Sequence, residues 1–394
     1  MKIIFVTRGW PTKEDPMMGN YESVQAKALA KRGVDVTVVN VMYKSLIHFF
    51  ESKKIKKYEA DGVTILSTGV WITEIPKIRQ TINNGFDLWL KQRAFLRVYE
   101  YYRRLKGDAD VIHAQFVFYA HTCKLVLQKY HTPFVITEHW SRLNYATVDK
   151  FILKNCEAYQ WADKVVCVSK ALADSLKQKF GLECKVVHNM VSNQFFDQEP
   201  VRQTSKNEGV VKFVSVGSLV HGKGYDLIIN ALQKCKHLGK CELNIIGGGP
   251  EEANLKSLIE KCQLQDKVFL LGVKTPQEVS RLIADSDCLI LTSRRETFGI
   301  VYIEAMAKGK PVIATTCGGP ESFVNESNGL LIPAEDVEAT TKAIDYMVEH
   351  LDQYDGEAIR RFCYENFSED AISKRIISLY EEVINNKGKN GVCK

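Results

Sequence analysis

Short apolar runs alternate with amphipathic stretches along most of the chain. Apolar residues at 2–7 and 35–41 predict two buried strands, and residues 21–32 between them have helical spacing that ends at Gly33. A second series starts at residue 211, with strands predicted at 211–216, 243–246 and 268–271 and helices at 225–238, 251–263 and 276–284. The pattern predicts an α/β protein with two Rossmann-like, doubly wound domains that face each other across a cleft.

One polar stretch separates the two series. Residues 198–209 contain few large apolar side chains, so we expect them to form the linker between the domains. This predicts an N-terminal domain of residues 1–200 and a C-terminal domain of residues 201–365, followed by a last segment of residues 366–394. Helices are predicted at 334–350 and 359–386.

The stretch from residue 293 to residue 319 has the clearest site character. It follows an apolar run at 287–293, contains a helical pattern that ends at Gly309, and leads into a second apolar run at 311–315. Its loop, residues 294–299, therefore lies at the carboxyl end of a strand, where open parallel sheets bind ligands. We expect the backbone N–H groups of Phe298, Gly299 and Ile300 to hold a phosphate at the start of the helix.

Two carboxylates flank this predicted phosphate site. Glu296 lies in the loop and Glu304 on the helix, with seven residues between them. A carboxylate beside a phosphate is unfavourable unless it serves another group, and sugar hydroxyls are strong donors to carboxylates. The alternative is that both are solvated glutamates that the helix dipole favours near a helix start.

Two glycine-rich loops precede this stretch. Residues 217–224 place Lys223 among glycines at a strand end, where its charge is suited to a diphosphate. The spacing of a P-loop is absent. Residues 247–250 form a glycine-rich turn between a strand and a helix, but no acid follows the next strand to hold a ribose. Glu304 is the better candidate for that role.

The N-terminal half contributes two candidate site residues. Gly19 directly precedes the first helix and allows a ligand to approach its N-terminus, although no G-x-G-x-x-G motif indicates a dinucleotide. His139 follows an apolar strand in the run T-E-H-W-S, so it is a candidate for contacting a ligand. The alternative is a purely structural histidine.

Aspartate residues precede several predicted strands. Asp110, Asp163 and Asp287 each stand at a turn that leads into a buried run, so we interpret them as helix-to-strand connections. The D-x-D sequence at Asp285 and Asp287 therefore only resembles a metal motif, and we predict no metal site.

Charge is unevenly distributed along the chain. The net charge is +6, but residues 1–190 hold 29 basic and 18 acidic residues, or +11, and the remainder carries −5. Such a basic half suits an anionic membrane surface or, alternatively, is a solvated face without a partner; we predict no nucleic-acid partner. Residues 43–58 are basic and aromatic, and form either a lipid-facing element or a core-packed helix followed by a charged loop.

A second basic and aromatic segment, residues 86–105, has helical spacing. We expect Trp89, Phe95, Tyr99 and Tyr102 to lie in the core and the arginines to lie outside. The scattered cysteines lack metal or disulfide spacing, which suits reduced thiols. No secretory leader or apolar run of membrane-spanning length is visible, so we expect a cytoplasmic protein.

Four of these motifs together resemble one known family. The Glu296-x₇-Glu304 pair, the glycine turn at 247–251, the loop at 217–224 and the C-G-G-P-E run at 317–321 are similar to those of the retaining glycosyltransferases of family 4. The resemblance covers nearly the whole chain. It implies the GT-B architecture, a last helix (residues 366–394) that crosses back to the N-terminal domain, a nucleotide-sugar donor, and no bound metal or other permanent cofactor.

The resemblance also implies roles for individual residues. Glu296 hydrogen-bonds the donor sugar, Glu304 holds the ribose hydroxyls and Lys223 contacts the diphosphate. The other implied donor contacts come from the N-terminal domain and from the two loops: Gly19, His139, Gly217, Ser218, Phe298, Gly299 and Ile300. Glu296, Lys223 and His139 are the implied catalytic residues. The N-terminal domain then serves the acceptor.

Two positions depart from the family pattern. Ser218 stands where many members have an arginine, which removes a diphosphate cation unless Arg294, Arg295 or His221 replaces it, and Gln115 stands where a second histidine is common. The T-E-H-W-S run is similar to members from bacterial surface-polysaccharide pathways.

We therefore predict a cytoplasmic, membrane-peripheral hexosyltransferase that transfers sugar from a UDP- or GDP-sugar to a lipid-linked or oligosaccharide acceptor. The alternatives are an epimerase or phosphorylase on the same fold, or a nucleotide-sugar-binding subunit with little catalytic activity.

Overall fold

The structure is a computed structural model that describes residues 1–12, 15, 18–44, 54–71, 86–145, 147–148, 150–197 and 209–390. Contacts divide it into two compact units. The N-terminal unit comprises Met1–Val168, Ala173–Val187 and Ser373–Lys394, and the C-terminal unit comprises Ser169–Leu172 and His188–Ile372. The last helix therefore starts in one unit and continues as part of the other.

The N-terminal unit is built on a mostly parallel sheet. Its strands among the described residues are β1 Lys2–Val6, β2 Asp35–Lys44, β3 Lys56–Ala60, β4 Val63–Trp71, β5 Val111–Gln115, β6 Phe134–Glu138, β7 Lys164–Cys167 and β8 Cys184–Val186. Their order is β3-β4-β2-β1-β5-β6-β7-β8, and only β3 runs antiparallel to its neighbour. Since strand order reverses at β1, the carboxyl ends of β1 and β5 lie at the switch point where such sheets bind ligands.

Helices accompany this sheet. They are α1 Asn20–Lys31, α2 Phe86–Lys106, α3 Val117–Ala120, α4 Lys124–Tyr130, α5 Lys150–Asn155 and α6 Lys170–Phe180. Apolar residues of β1 and β5 are almost fully buried, as expected of parallel strands that are covered on both faces.

The C-terminal unit holds a fully parallel sheet. Its strands are β9 Val211–Val216, β10 Cys241–Ile246, β11 Val268–Leu270, β12 Cys288–Leu291, β13 Val312–Thr316 and β14 Gly329–Pro333. Their order is β11-β10-β9-β12-β13-β14, so β9 and β12 are neighbours at the switch point. The α/β prediction with two parallel-sheet units is confirmed.

The helices of this unit complete the fold. They are α7 Tyr225–Leu232, α8 Glu252–Lys261, α9 Pro276–Ala284, α10 Ile300–Ala307, α11 Val337–His350 and α12 Gly356–Phe367, and the long final helix is α13 Glu369–Asn390. Thr275 caps α9 in a capping box with Glu278, and Asp336 and Asp355 cap α11 and α12.

Several sequence expectations were wrong in detail. The helix expected at 225–238 ends at Leu232, and β2 extends three residues beyond the expected strand. Trp89, expected in the core, is 45% exposed, whereas Phe95, Tyr99 and Tyr102 are buried. Lys56 and Lys57 belong to β3 rather than to a helix or a loop, because this segment pairs with β4 at the edge of the sheet. Residues 45–53 and 198–208 of the predicted basic segment and linker lie outside the described residues.

The aspartate turns have the structural role that the sequence predicts. Asp110 accepts the backbone N–H of Lys2, Asp163 that of Phe134 and Asp287 that of Lys212, at 2.7–2.8 Å. Each aspartate thus fixes where a neighbouring strand begins. Asp287 of the D-x-D sequence is therefore engaged by the main chain.

Candidate functional site

Two loops of the C-terminal unit leave adjacent strand ends at the switch point. The loop of residues 217–224 follows β9, the loop of residues 292–299 follows β12, and β9 and β12 are paired through Phe213 and Cys288. Thr292 joins the loops, because its hydroxyl donates to the carbonyl of Gly224 at 2.6 Å. A side chain at 224 would place a Cβ 2.0 Å from the Thr292 carbonyl oxygen, so only glycine permits this approach.

Lys223 and Glu296 form an ion pair between these two loops. Lys223 lies in a short 3₁₀ turn, His221–Lys223, and its Nζ is 2.5 Å from Oε2 of Glu296. The side chains are 27% and 13% exposed, respectively. The other carboxylate oxygen of Glu296 accepts the backbone N–H of Thr297 at 3.1 Å. The sequence placed both residues at one site, and the structure brings their charged groups into direct contact.

Helix α10 begins immediately beyond Glu296. Gly299 caps it with a left-handed backbone, φ +85°, and no side chain caps its N-terminus. Within the described ranges, the N–H groups of Phe298, Gly299 and Ile300 donate to no acceptor. Tyr302 anchors the helix, because its hydroxyl donates to the carbonyl of Leu291 at 2.8 Å. Three N–H groups and the positive end of the helix dipole thus share one point, which suits an anion.

Glu304 lies one helical turn beyond the start of α10. Its carboxylate is half-buried and makes no hydrogen bond or ion pair with the part of the chain that the structure describes. Burial raises its pKa to about 7. A carboxylate in this state lacks the donors that would stabilise its charge, so ligand hydroxyl groups are suitable partners.

The positive charge of Arg294, a candidate cation for the diphosphate, is already paired in this structure. Its guanidinium donates to both oxygens of Asp226, at 2.9 and 2.8 Å, and to the carbonyl of His221 at 2.6 Å. Asp226 raises the pKa of Arg294 further. Arg294 therefore fastens the two loops together, a role that the sequence did not reveal. Ser218 and Arg295 are exposed.

The candidate residues of the N-terminal unit belong to a hydrogen-bonded network. His139 follows β6, and its Nε2 lies 2.7 Å from Oε1 of Gln115, while the Gln115 amide donates to Gln25 at 3.0 Å. The His139 ring also contacts Tyr21 and Phe116, with ring centroids 5.2 and 5.1 Å apart. Since Gln115 has an amide that both donates and accepts, it orients His139 in place of a second histidine.

The network extends to a deeply buried histidine. His113 lies 2.7 Å from the hydroxyl of Tyr380 on α13 and 2.6 Å from the hydroxyl of Thr137. Burial, together with nearby His139, lowers the pKa of His113 to about 3, so its ring is neutral at physiological pH. Nothing in the sequence pattern indicates the contact with Tyr380, which is 267 residues away.

Two acids near the N-terminal candidates were missed. Glu22, in the first turn of α1 after Gly19, is 2% exposed and forms an ion pair of 3.2 Å with Arg8. Glu138, next to His139, is fully buried, and burial raises its pKa to about 7 against the hydrogen bonds from the Tyr159 hydroxyl and the Val117 N–H. The sequence did offer a signal for both acids: Glu138 stands in an otherwise apolar strand, and Glu22 lies on the buried face of a helix.

Neither a metal cluster nor a membrane span is found in the described ranges. No group of three or more His, Cys, Asp or Glu side chains in these ranges is arranged to hold a metal ion. In the same ranges, no helix has the combination of length and apolar character that crossing a bilayer requires.

Comparisons with family models match both units. Residues 197–355 match the family described as glycosyl transferases group 1, and residues 23–195 match glycosyltransferase family 4. The two matches together span the chain from residue 23 to residue 355 with a single-residue gap.

Individual relatives point the same way. The chain is 28% identical to N-acetyl-alpha-D-glucosaminyl L-malate synthase of Bacillus anthracis, over 58% of this chain and 62% of that enzyme. It is 30% identical to the putative colanic acid biosynthesis glycosyltransferase WcaL of Salmonella typhimurium, over 44% of this chain and 45% of the relative. The chain thus spans less than two thirds of the length of each of these two relatives.

A solved structure extends the likeness to the entire fold. The Anabaena protein HepE, crystallised with UDP, superposes with a TM-score of 0.71 over 97% of this chain and 100% of that one, at 19% sequence identity. The family matches and the fold agree with the motifs at Glu296 and Glu304, and the chain therefore belongs to the family-4 glycosyltransferases with the GT-B fold.

Proposed function

We propose that the protein is a retaining glycosyltransferase that transfers a hexose-type sugar from a UDP- or GDP-sugar. The observation that carries this proposal is the cluster at the start of α10. It comprises the Lys223–Glu296 ion pair and, as far as the described residues show, three N–H groups without acceptors and a Glu304 carboxylate without a partner. A nucleotide sugar has a diphosphate between two hydroxyl-bearing rings, so its three parts have partners in this cluster.

The diphosphate is proposed to bind at the N-terminus of α10. Its oxygens accept hydrogen bonds from Phe298, Gly299 and Ile300, and Lys223 supplies a positive charge. As the bond between the anomeric carbon and the diphosphate breaks, negative charge grows on the leaving group, and these fixed donors stabilise it. We propose that this arrangement takes the place of a divalent cation, which makes the reaction metal-independent.

The two glutamates are proposed to bind different rings. Glu304, one turn below the phosphate position, accepts hydrogen bonds from the ribose hydroxyls. Glu296 accepts hydrogen bonds from the donor sugar, exchanging its contact with Lys223 for sugar hydroxyls. Gly217 and Ser218 lie on the Lys223 loop and complete the donor contacts.

The acceptor hydroxyl is proposed to attack from the face that the diphosphate leaves. Its oxygen forms the new bond to the anomeric carbon, and its proton passes to the departing diphosphate, so the anomeric configuration is retained. Gly19 is proposed to approach the phosphates, and His139, oriented by Gln115, to contact the donor sugar near the reacting carbon.

The proposed acceptor is lipid-linked or an oligosaccharide in bacterial cell-surface polysaccharide synthesis. The colanic acid relative and the resemblance of the T-E-H-W-S run support this assignment. The proposed location is the cytoplasm, at the inner face of the plasma membrane, which agrees with free thiols at the cysteines that the structure describes.

Donor binding and transfer provide the test. Thermal unfolding in the presence of UDP, GDP and their sugars identifies the base, since a ligand at about 100 times its Kd stabilises the protein by about 2.7 kcal/mol. Release of nucleoside diphosphate then measures transfer, and Glu296→Ala is expected to lower it by at least about 100-fold. Glu252→Ala, on α8, changes a side chain that is 43% exposed; it is the matched control and is expected to leave transfer unchanged.

Three results would contradict the proposal. The first is transfer by Glu296→Ala at the wild-type rate with the native donor. The second is conversion of the donor into an epimer or a sugar phosphate without an acceptor. The third is tight donor binding with neither hydrolysis nor transfer across a broad panel of acceptors, which supports a binding subunit instead.

A further inference from the structure

Helix α2 exposes an aromatic pair that the core does not use. Phe86 and Trp89, at its start, are 51% and 45% exposed, and their rings stack with centroids 5.8 Å apart. The guanidinium of Arg93 lies 5.1 Å from the centroid of the Trp89 ring. Large aromatic side chains exposed together need an explanation, since they add apolar area to a surface facing water.

The aromatic pair continues into a row of arginines. Phe86, Trp89, Arg93, Arg97 and Arg104 are spaced by three, four, four and seven residues, which places them on one side of the helix. The opposite side packs into the N-terminal unit through Phe95, Tyr99 and Tyr102. The first set, which we call the α2 stripe, therefore lies outside the core.

The charge of this helix is strongly positive. The segment Phe86–Lys106 holds six basic and two acidic residues, and one of the acids, Glu100, is compensated by Lys129 at 2.6 Å. The second acid is Asp87, beside Lys91. The guanidinium of Arg97 also donates to the hydroxyl of Thr68, on β4, at 3.2 Å. This hydrogen bond holds the Arg97 side chain close to the sheet.

We propose that the α2 stripe docks the protein onto a bilayer that contains anionic lipid. A tryptophan and a phenylalanine at one end are suited to the boundary between headgroups and acyl chains, and arginines along the same side pair with lipid phosphates. Charge complementarity alone would fit any polyanion, but the stacked aromatic pair adds an apolar contact that a bilayer interface accommodates. Docking would bring the lipid-linked acceptor of the proposed function to the enzyme, although docking itself requires no sugar transfer.

Vesicle flotation of the full chain tests the proposal. Binding is expected to vesicles of phosphatidylcholine with about 30% phosphatidylglycerol and not to phosphatidylcholine alone. It is expected to weaken when NaCl rises from about 0.05 M to about 0.5 M. Arg93→Glu with Arg104→Glu should lower partitioning by at least about 25-fold, at about fivefold for each arginine. Phe86→Ser with Trp89→Ser should lower it about tenfold.

Matched changes on the C-terminal unit serve as controls. Lys256→Glu and Val273→Ser alter side chains that are 60% and 76% exposed, respectively, and should leave flotation unchanged. Absence of binding to anionic vesicles at low salt would overturn the proposal. Binding of both stripe variants as tight as that of the wild-type chain would also overturn it. Equally tight binding to a random-sequence oligonucleotide that depends on the arginines but not on the aromatic pair would also overturn it. The nucleotide-binding test above is independent of all these outcomes.

Discussion

Both sheets have their candidate residues at the edge formed by the carboxyl ends of the parallel strands, but different chemical groups make up this edge in the two units. In the C-terminal unit, the edge is made of main-chain N–H groups, close glycine contacts and a charged pair, all within two short loops. In the N-terminal unit, hydrogen bonds join side chains from separate elements: His139 is bonded to Gln115, and Gln115 is bonded to Gln25. Each of the two loops at the first edge has a local sequence motif, whereas the second edge depends on side chains from separate elements.

The largest expected effect comes from the cation of the C-terminal edge. Lys223→Ala should lower the rate of transfer by about 10²–10³-fold, because a fixed charge at the leaving group is lost. Release of nucleoside diphosphate measures this loss. Lys256→Ala removes an exposed lysine of the same unit and should have no effect. A loss of less than about tenfold for Lys223→Ala would show that charge on the leaving group is supplied elsewhere.

Glycine contacts allow the rigidity of the two units to be compared directly. Gly224 and Gly33 both have left-handed backbones, with φ +71° and +80°, but an added Cβ meets the Thr292 carbonyl oxygen at 2.0 Å only at Gly224. Gly33→Ala should therefore cost about 1 kcal/mol of unfolding free energy and Gly224→Ala about 3 kcal/mol or more. Denaturant unfolding measures both. Equal losses of unfolding free energy for the two substitutions would mean that the contact between Gly224 and Thr292 can move apart to accommodate a side chain.

Two acids whose pKa burial raises to about 7, half-buried Glu304 and fully buried Glu138, should respond to different extents to the same change. Burial raises the pKa of Glu304 to about 7, so its ionised form is disfavoured in the folded protein. Stability is therefore expected to fall as pH rises from about 4.3, the pKa in the unfolded chain, to about 7. Glu304→Gln should stabilise the protein by about 1–3 kcal/mol at about pH 8 and by nothing near about pH 4.

Glu138 supplies the contrast in the N-terminal unit. Its pKa is also raised to about 7 by burial, but its carboxylate accepts from Val117 and Tyr159. Both hydrogen bonds reach the same carboxylate oxygen, so the carbonyl oxygen of Glu138→Gln can keep them. Loss of the disfavoured charge stabilises the variant at about pH 8, but the new amide N–H₂ group is fully buried and opposes this gain, so the net stabilisation should be smaller than that of Glu304→Gln, about 0–1 kcal/mol. Thermal unfolding of both variants between about pH 4 and about pH 8 measures the difference. Equal stabilisation by both substitutions at about pH 8 would remove the distinction between a half-buried acid and a fully buried, hydrogen-bonded one.

The smallest expected effect concerns the position that departs from the family pattern. Ser218 is exposed on the Lys223 loop, so Ser218→Arg adds a second cation without disturbing the core. Affinity for UDP or GDP should rise about three- to tenfold, and the gain should shrink with added salt. Titration calorimetry at two salt concentrations measures this gain. An unchanged affinity would indicate that Arg295 or the helix N-terminus already supplies the charge.

The contrast between the two edges also explains what the sequence could predict. Apolar runs predicted β9, β12 and β13 to within two residues at each end, because buried parallel strands have continuous apolar sequences. The loop of residues 294–299 could be proposed as a phosphate site from the sequence, because Glu296, Gly299 and Glu304 lie close together in the chain. The exposure of Trp89 was not predicted, since helical spacing alone does not distinguish a buried side from a surface side rich in aromatic residues.

Contacts between distant residues were outside the reach of pattern analysis. Lys223 and Glu296 are 73 residues apart, and their pairing depends on β9 and β12 being neighbours. Arg294 was considered as a cation for the diphosphate, but its pairing with Asp226 follows from the same strand order. Sheet order, more than any local signal, decides which charges meet.

Under the proposed function, the ion pair between Lys223 and Glu296 has a consequence for how the protein distinguishes a nucleotide-sugar donor from the nucleoside diphosphate product. When Lys223 moves to a bound diphosphate, Glu296 loses its counter-ion. A nucleoside diphosphate without a sugar has no donor-sugar hydroxyl groups that could replace this contact. An intact nucleotide sugar brings hydroxyl groups that replace the lost contact. Under the proposed function, the ion pair therefore lowers the affinity for the nucleoside diphosphate more than the affinity for the nucleotide sugar, and this difference favours exchange after each turnover.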